Sequence, residues 1–402
     1  MQDLKVVMMG LGYIGLPTAA LIAGKGIQVH GVDINPNTVD TINQGKIHIV
    51  EPDLEGLVHH DVQKGNLKAD VKPAEADVFL IAVPTPFKGN NHEPDISYVE
   101  SAARMIIPYL RQGNLVILES TSPVGTTEKI GKWIHEARPE LDGKIFLAYC
   151  PERVLPGRIL YELENNERAI GGIDEVSTEK AVAFYSRFVK GQLHKTNART
   201  AEMCKLVENS YRDVNIAFAN ELSMIAEKAG INVWELIHLA NKHPRVNILQ
   251  PGPGVGGHCI AVDPWFIVHD FQEEAKMIRS AREVNNYKAE WVIEKIKNAA
   301  KDFQISNSRK AIVACFGLTY KPDIDDMRES PALEIVEQLA NDEMEVVAVE
   351  PNIHTFKKLK LVSISDALQT ADIAVLLVNH KAFQNINLAD KIVLDYCGVL
   401  NK

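Results

Sequence analysis

A cysteine that ends a glycine-rich loop is the side chain best suited to covalent chemistry in this chain. Residues 251–259 read PGPGVGGHC, so four glycines leave the backbone free to approach a ligand just before the thiol of Cys259. Loop amides or a helix N-terminus would stabilise a thiolate there, and the thiolate is the nucleophilic form of cysteine. The alternative is a glycine-rich hinge with an inert thiol. Cys150, Cys315 and Cys397 lie on or beside apolar runs, which predicts that they are small core residues.

A lysine and an asparagine stand four residues apart in a segment with helical spacing. Lys205 and Asn209 therefore share one face of a helix predicted over Thr200–Gly230, and Arg212 and Asp213 extend that face. An ammonium group and an amide on one face would stabilise a developing oxyanion. A solvated helix face is the alternative interpretation.

The N-terminal segment carries a glycine pattern in the context of a nucleotide site. The GxGxxG motif between the first predicted strand and a helix is made by Gly10, Leu11, Gly12, Tyr13, Ile14 and Gly15. A dinucleotide pyrophosphate would lie against this turn at the helix N-terminus. Asp33 ends the next strand, where a carboxylate accepts hydrogen bonds from an adenosine ribose and repels a 2′-phosphate, so NAD is predicted rather than NADP. A glycine turn used for helix packing alone is the alternative.

Hydroxyl side chains follow two further predicted strands. Thr85 lies in the run Val83–Pro86, Thr121 lies in the run Ser120–Pro123, and Thr127 lies near the start of the following helix. Because ligands of open αβ sheets bind beyond the carboxyl ends of the strands, we expect these threonines to contact the cofactor. Helix capping is the alternative role for such hydroxyls.

Basic side chains near two loops are candidates for binding phosphate. His243 and Arg245 precede the glycine-rich loop, and Lys321 and Arg328 lie in a later loop. Isolated basic residues are usually surface charges, but these four stand beside loops in an otherwise acidic chain.

The composition excludes several classes of protein. The 402 residues carry a formal net charge of −10, which argues against binding nucleic acid or a membrane surface. No run approaches the roughly 18 apolar residues of a membrane span, and the N-terminus leaves no room for a signal peptide. The five cysteines show no paired spacing, so neither disulfides nor a metal site is predicted. We expect a cytoplasmic protein.

Two sets of short apolar strands must position these residues. The first set is predicted at Lys5–Met9, Gln28–Val32, Val78–Val83, Leu115–Leu118 and Ile145–Ala148, and the second at Ala311–Gly317, Val346–Val349, Ile373–Val378 and Ile392–Leu394. Apolar strands that alternate with helical segments predict parallel sheets covered on both faces. Between the two sets, helices are predicted at Thr200–Gly230 and Glu273–Asp302. The predicted fold class is α/β, with two Rossmann-like doubly wound parallel-sheet domains joined by a central helical domain and a long connecting helix.

Together these segments resemble the UDP-glucose/GDP-mannose dehydrogenase family along essentially the whole chain. The resemblance rests on Gly10–Pro17, Val83–Pro86, Ser120–Gly125, Pro151–Arg153, Glu202–Asn209, Gly254–Cys259 with Asp263, and Lys321–Pro331. It implies an NAD-binding domain over residues 1–196, a central helical domain with the cysteine loop over 197–302, and a UDP-sugar-binding domain over 303–402. It also implies a homodimer or larger homo-oligomer with the middle helices at the interface, and a place in the synthesis of a bacterial surface polysaccharide such as a common antigen, a capsule or an O-antigen.

The same resemblance implies a role for each candidate residue. Cys259 would be the nucleophile, and Asp263 and Glu152 would order or activate water. Lys205 and Asn209 would stabilise oxyanions, and assistance in deprotonation is the alternative role for Lys205. Arg328 would approach the NAD pyrophosphate. Contacts with the UDP-sugar are implied for Arg153, Val154, Lys205, Asn209, Arg212, His243, Arg245, Gly256, Tyr320 and Lys321.

The implied reaction explains why a thiol is needed. Turning a sugar CH2OH into a carboxylate removes four electrons, so two NAD are consumed per UDP-sugar. A thiolate retains the intermediate aldehyde as a thiohemiacetal, and loss of a second hydride gives a thioester that water hydrolyses. One alternative is a two-electron hydroxyacid-type dehydrogenase, which leaves Cys259 without a task. Another is a non-catalytic NAD-sensing module, which no partner motif supports. The run Arg153–Gly157 departs from the UDP-glucose branch of the family, so glucose is not the expected sugar.

Overall fold

The computed structural model describes residues 4–89, 92–155, 157–257, 259–353, 356 and 358–400. Pro156 and His258, which belong to two of the runs named above, lie outside the described residues. The chain divides into two units, residues 1–208 and 209–402.

The first unit alternates strands and helices along the chain. Its strands are β1 (Lys5–Met9), β2 (Gln28–Val32), β3 (Leu67–Asp70), β4 (Val78–Ile81), β5 (Phe87–Lys88), β6 (Glu93–Pro94), β7 (Leu115–Leu118), β8 (Phe146–Tyr149), β9 (Arg168–Gly172) and β10 (Leu193–Asn197). Its helices are α1 (Gly15–Gly24), α2 (Pro36–Asn43), α3 (Leu54–Gln63), α4 (Ser97–Ile106), α5 (Thr126–Ala137), α6 (Ile159–Asn165) and α7 (Glu175–Tyr185). Helix α8 (Ala198–Ala229) begins in this unit and continues into the second.

Most strands of this unit join one sheet. Among the described residues its order is β10-β9-β8-β7-β4-β1-β2-β3, while β5 and β6 form a separate hairpin. The neighbouring strands β3, β2, β1, β4, β7 and β8 pair in parallel, in that order. Strand β9 pairs antiparallel with β8 and parallel with β10. The sheet therefore reverses direction at β9. Consequently the first residues of β9 lie at the edge where the parallel strands end.

Strand β1 shows why these runs are almost continuously apolar. Val6 and Met8 point into one buried layer, and Val7 and Met9 point into the other. Helices α1, α3, α6 and α7 contribute to the first layer, and α4 and α5 contribute to the second. A strand covered on both faces has no position that favours a polar side chain, which is typical of doubly wound sheets.

The second unit repeats the pattern with a smaller sheet. Its sheet strands are β11 (Ile312–Phe316), β12 (Glu345–Val349), β13 (Ile373–Leu376) and β14 (Ile392–Asp395), and its remaining helices are α9 (Val233–Ala240), α10 (Asp263–Asp270), α11 (Lys276–Asn307), α12 (Pro331–Asn341) and α13 (Ile364–Thr370). The described strands pair in parallel in the order β12-β11-β13-β14. Helices α11 and α12 cover one face and α13 covers the other. The predicted fold class is confirmed.

The long helices end within a few residues of their predicted limits. Helix α8 ends at Ala229, and Gly230 follows with a φ of +68°. The amide of Ile231 donates to the carbonyl of Ala226, which is the backbone bond of a Schellman cap and requires this glycine geometry. Helix α11 runs from Lys276 to Asn307, slightly beyond the prediction.

Candidate functional site

The glycine turn after β1 has the geometry of a pyrophosphate site. Gly10 has a φ of +88°, and a Cβ there would lie 2.4 Å from the carbonyl oxygen of Ala82. A Cβ on Gly15 would lie 1.9 Å from the carbonyl oxygen of Gly10, whereas no described atom lies within 4 Å of a Cβ built on Gly12. Among the described residues, α1 has no side-chain cap and no acid in its first turn. The open side of Gly12 and the uncapped helix N-terminus fit a phosphate group.

The acid at the end of β2 is held against this turn. Asp33 Oδ2 accepts a hydrogen bond of 3.1 Å from the amide of Leu11, and Oδ1 accepts one of 2.9 Å from the amide of Asn35. Each carboxylate oxygen keeps a second lone pair, so ribose hydroxyls can still donate to it. Tyr13 is exposed and Ile14 is half-buried beside the turn. These residues fit the adenosine half of NAD.

The hydroxyls after β4 and β7 tie the two strand ends together. The Thr85 hydroxyl donates to the carbonyl of Thr121 at 2.5 Å, and the Ser120 hydroxyl accepts from the amide of Val83 at 2.9 Å. Thr85 and Thr121 are half-buried at the edge where the parallel strands end. This position agrees with the predicted cofactor contact, and it also gives both residues a structural task.

The start of α5 is capped by an acid from α8. Glu202 accepts hydrogen bonds from the amide of Gly125 at 2.6 Å, from the amide of Thr127 at 2.8 Å and from the Thr127 hydroxyl at 2.7 Å. Burial raises the pKa of the Glu202 carboxyl, and the bonds from Thr127 oppose that rise. The Thr127 proton is thus committed to Glu202. A cofactor contact by Thr127 would use its oxygen lone pairs and stays a prediction.

Glu152, the acid predicted to activate water, lies just after β8 and is contacted by Lys205 through its main-chain carbonyl. Glu152 is buried, and its carbonyl oxygen accepts a hydrogen bond of 2.7 Å from Nζ of Lys205. Arg153 donates from Nη2 to Glu208 at 2.5 Å and to the sulfur of Cys204 at 3.2 Å. Val154 is half-buried. The first unit therefore brings together the loop 151–155 and the N-terminal half of α8.

The second unit places Cys259 in a turn that leads into α10. The carbonyl of Cys259 accepts from the amides of Val262 at 3.1 Å and Asp263 at 2.9 Å, and Cys259 is exposed. Asp263 is the first residue of α10, and its Oδ2 accepts a hydrogen bond of 2.5 Å from Nδ2 of Asn209. Burial raises the pKa of the Cys150 and Cys315 thiols to about 12, which excludes a thiolate at either site near neutrality. Burial also raises the pKa of the Cys204 and Cys397 thiols, and the covalent role of Cys259 stays a prediction.

The glycines before Cys259 allow a close packing of the loop that the sequence did not indicate. A Cβ on Gly256 would lie 2.4 Å from the carbonyl oxygen of Glu329 and 2.8 Å from Cβ of Tyr320, and one on Gly257 would lie 3.0 Å from the Tyr320 ring. A Cβ on Gly254 would lie 2.8 Å from Pro331. We expected these glycines to admit a ligand. The structure shows that they also let the loop pack closely on the segment 320–331, and the ligand contact stays a prediction.

The remaining candidate binding residues of the second unit are mostly at its surface. Exposed residues among them are Arg212, His243, Arg245, Lys321 and Arg328. Tyr320 is half-buried, and burial raises the pKa of its hydroxyl. Arg328 forms an ion pair with Asp326 at 2.7 Å. Their predicted contacts with the UDP-sugar and with NAD stay predictions.

Sequence reasoning missed the buried charge of Arg168 and did not foresee that Asp213 is buried. Arg168, the first residue of β9, donates from Nη1 to Oε2 of Glu152 at 2.9 Å. Asp213, which we placed on the extended Lys205 face, is fully buried and accepts from Arg282 at 2.7 Å and from Asn285 at 2.8 Å. That network braces α8 against α11. A charged residue at the start of an apolar run was the available signal for Arg168.

Searches for two other kinds of site were negative within the described part of the chain. No cluster of three or more His, Cys, Asp or Glu side chains there has the arrangement of a metal site. No helix formed by the described residues is both long and apolar enough to span a membrane.

Comparison with known protein families covers nearly the whole chain. Residues 4–189 match the NAD binding domain of the UDP-glucose/GDP-mannose dehydrogenase family, residues 199–287 match its central domain, and residues 314–402 match its UDP binding domain. These matches agree with the predicted order of an NAD site, a helical middle and a second nucleotide-binding sheet.

Individual proteins are similar over the same length. The chain is 56% identical to the UDP-N-acetyl-D-mannosamine dehydrogenase of Escherichia coli (strain K12), with 98% of each chain covered. It is 53% identical to an NDP-N-acetyl-D-galactosaminuronic acid dehydrogenase of Ralstonia nicotianae, with 98% of this chain and 96% of the relative covered. The solved UDP-D-ManNAc dehydrogenase of Pyrococcus horikoshii superposes with a TM-score of 0.90 at 39% identity, covering 99% of this chain and 96% of that one.

Proposed function

Because this chain belongs to the UDP-glucose/GDP-mannose dehydrogenase family, we propose that it oxidises UDP-N-acetyl-D-mannosamine at C6 to UDP-N-acetyl-D-mannosaminuronate. Membership in the family confirms the prediction of an NAD-dependent nucleotide-sugar dehydrogenase. The choice of sugar is supported by the 56% identity to the Escherichia coli enzyme over 98% of the chain. The observation that carries the covalent mechanism is the exposure of Cys259 at the turn before α10.

Cys259 is the covalent catalyst of this proposal. In the first oxidation C6 loses a hydride and its hydroxyl loses a proton, which leaves an aldehyde. The thiolate then bonds to C6 and gives a thiohemiacetal, and a second loss of hydride and proton gives a thioester. Water adds to the thioester carbonyl, the C–S bond breaks, and the carboxylate leaves as the thiolate is restored. NAD, bound twice in succession, supplies the hydride acceptor for both oxidations.

Lys205 and Asn209 stabilise negative charge on the C6 oxygen in this proposal. They stand four residues apart on α8, and each already has a defined partner, the carbonyl of Glu152 for Lys205 and the carboxylate of Asp263 for Asn209. Such anchoring holds a donor in place before reaction, which is what makes charge stabilisation effective. Glu152 activates the hydrolytic water, and Asp263 orders it.

The proposed binding residues divide by nucleotide. We assign NAD to the turn Gly10–Gly15, to Asp33 and to the hydroxyls of Thr85, Thr121 and Thr127, with Arg328 as a further pyrophosphate contact. We assign the UDP-sugar to residues that are polar or lie beside glycine-rich backbone, namely Arg153, Val154, Lys205, Asn209, Arg212, His243, Arg245, Gly256, Tyr320 and Lys321. The open side of Gly12 supports the assignment of NAD, and the exposed basic groups of the second unit support that of the UDP-sugar.

We also propose that the protein is a homodimer or a larger homo-oligomer and that it works in the cytoplasm. Helix α8 exposes Val207, Tyr211, Phe218 and Ile225, whose side chains are 48–68% exposed. Their spacing of four and seven residues aligns them as one apolar stripe, which a second helix of the same kind would cover. Light scattering of the parent and of Phe218→Lys tests this, because a monomeric parent contradicts the proposal.

The choice of sugar is tested by a direct comparison of substrates. We expect kcat/KM for UDP-N-acetyl-D-mannosamine to exceed that for UDP-N-acetyl-D-glucosamine, UDP-N-acetyl-D-galactosamine and UDP-glucose by about 100-fold, the scale of discrimination that a pocket reaches between substrates that differ in one small group. A preference for another of these sugars would refute the proposed substrate but would leave the assignment to the dehydrogenase family unchanged. A preference for UDP-N-acetyl-D-glucosamine would establish a UDP-N-acetyl-D-glucosamine 6-dehydrogenase, which is the alternative to the proposed function.

A further inference from the structure

The antiparallel strand of the first sheet places a cation beside the proposed water-activating acid. The register pairs Ala148 with Gly172 and Tyr149 with Gly171. Continued for three residues, this register sets Glu152 opposite Arg168. A strand parallel to β8 would have put its first residue at the opposite edge of the sheet, so the reversal at β9 is what brings this guanidinium to Glu152.

The contacts of Arg168 leave it little freedom. Nη1 donates to Oε2 of Glu152 at 2.9 Å, and Nη2 donates to the carbonyl of Leu163 at 2.9 Å. The guanidinium lies 5.2 Å from the centre of the Tyr185 ring, and its side chain is 3% exposed. A planar guanidinium fixed at two nitrogens and covered by a ring defines one direction for the carboxylate that it binds.

Glu152 is constrained from the other side as well. Its Oε1 accepts from the amide of Arg153 at 2.7 Å, and its main-chain carbonyl accepts from Lys205. Both carboxylate oxygens therefore have one donor each among the described residues, and each keeps lone pairs for a water molecule. Removing one partner of a buried ion pair leaves the other charge buried without compensation, so Glu152 depends strongly on Arg168.

A second buried acid, Glu119, lies near Arg168 but forms no direct ion pair with it among the described contacts. Glu119, buried at the end of β7, has its Oε1 bonded to the Tyr185 hydroxyl at 2.5 Å. Burial raises the pKa of Glu119 to about 7, with Arg168 opposing and Glu152 adding to the rise. The structure thus gives Arg168 its direct ion pair with Glu152 alone among the described carboxylates.

We infer that Arg168 is a positioning residue for the hydrolytic half of the reaction, holding the Glu152 carboxylate where it takes a proton from the attacking water. This inference rests on the proposed function. In the step concerned, Glu152 accepts one water proton, the water oxygen bonds to the thioester carbon, and the C–S bond breaks with its electron pair returning to Cys259. Both oxidations precede this step, so Arg168 has no part in them.

The inference predicts a split between two kinetic constants. Arg168→Met should lower kcat by about 100-fold, the scale expected for a misplaced catalytic group. It should leave kcat/KM for the UDP-sugar within about twofold, because hydrolysis follows the first release of NADH, which commits the substrate. Rapid mixing should show a burst of two NADH per active site, and mass spectrometry of the quenched enzyme should find the acyl group on Cys259.

Hydroxylamine distinguishes positioning from general damage. It attacks a thioester without a protein base and releases a hydroxamate, so it should restore turnover of Arg168→Met. Arg168→Lys keeps a charge and one donor, and we expect a loss of about tenfold with the same burst. Arg199→Met is the matched control, because Arg199 forms an exposed ion pair with Glu128 in the same unit, and its kcat should not change.

Three outcomes overturn the inference. One is an equal fall of kcat and kcat/KM in both Arg168 variants, which indicates a structural role. Another is the absence of an acyl-enzyme or of rescue by hydroxylamine. The third is a further loss of hydrolysis when Arg168→Lys is added to Glu152→Gln, since a residue that acts through Glu152 has no effect without it. A parent enzyme that makes no acyl-Cys259 would instead refute the proposed function itself.

Discussion

The side-chain amide of Asn209 donates a hydrogen bond of 2.5 Å to the carboxylate of Asp263. Both side chains are buried, and the amide of Asp263 in turn donates to the carbonyl of Cys259. One short chain of hydrogen bonds therefore connects helix α8 to the turn that carries the proposed nucleophile. Asn209 has a second amide hydrogen, which leaves one donor for an oxyanion.

Replacement of Asn209 should affect both stability and turnover. Asn209→Ala leaves the buried Asp263 carboxylate without this donor, at a cost of about 1 to 3 kcal/mol in unfolding free energy. It also removes an oxyanion donor, so kcat should fall by about 100-fold. Urea denaturation and steady-state kinetics measure the two effects, and an unchanged kcat would show that Asn209 only braces the turn.

Lys205 should act on the rate more than on binding. Lys205→Ala is expected to lower kcat by about 100-fold or more, by analogy with the loss of an oxyanion donor. The ammonium group also fixes the carbonyl of Glu152, so part of this loss should appear in thioester hydrolysis. Initial rates over a range of UDP-sugar concentrations separate the constants. A change confined to KM would assign Lys205 to substrate binding alone.

Cys259→Ser should stall after partial oxidation. A serine hydroxyl is a weaker nucleophile than a thiolate near neutral pH, so the aldehyde is captured slowly and an ester replaces the thioester. Fewer than two NADH per sugar should form within the time that the parent needs for full turnover. Complete conversion to the acid at the parent rate would contradict covalent catalysis by Cys259.

The buried acid Glu119 predicts a specific pH dependence of stability. Burial raises the pKa of its carboxyl from 4.5 to about 7, so the folded protein favours the protonated form. The resulting stabilisation is fully present below pH 4.5 and is lost as the pH rises through 7. The loss amounts to about 3 kcal/mol. Glu119→Gln cannot ionise, and its unfolding free energy should fall less than that of the parent between pH 5 and pH 8. Equal falls in the unfolding free energy of the two proteins would show that a group other than Glu119 causes the pH dependence.

The central strands of both sheets were predictable because they are buried on both faces. Strands β1 and β13 each carry four apolar residues in succession, and the flanking turns mark their ends. The strands β3, β9 and β10 escaped prediction. Strand β10 lies at the edge of the sheet with polar, partly exposed residues, and β9 contains two glycines, so neither has the apolar run that we used as the signal.

The candidate site was predictable where one short segment determines the geometry. The glycine turn and Asp33 follow from local strand and helix order, and the structure brings them together. The pair of Arg168 and Glu152 depends on the antiparallel register of two strands, and the cap formed by Glu202 depends on a helix seventy-five residues away from Thr127. The close packing of the cysteine-loop glycines on the segment 320–331 depends on contacts between distant parts of the sequence, so the glycine pattern alone did not reveal it.

The most direct test of the account counts NADH against sugar. Purified protein with excess NAD and a limiting amount of UDP-N-acetyl-D-mannosamine should form two NADH for each molecule of sugar, with the uronate as the product and no free aldehyde. One NADH per sugar, with an aldehyde or another carbonyl product released, would contradict four-electron oxidation through Cys259.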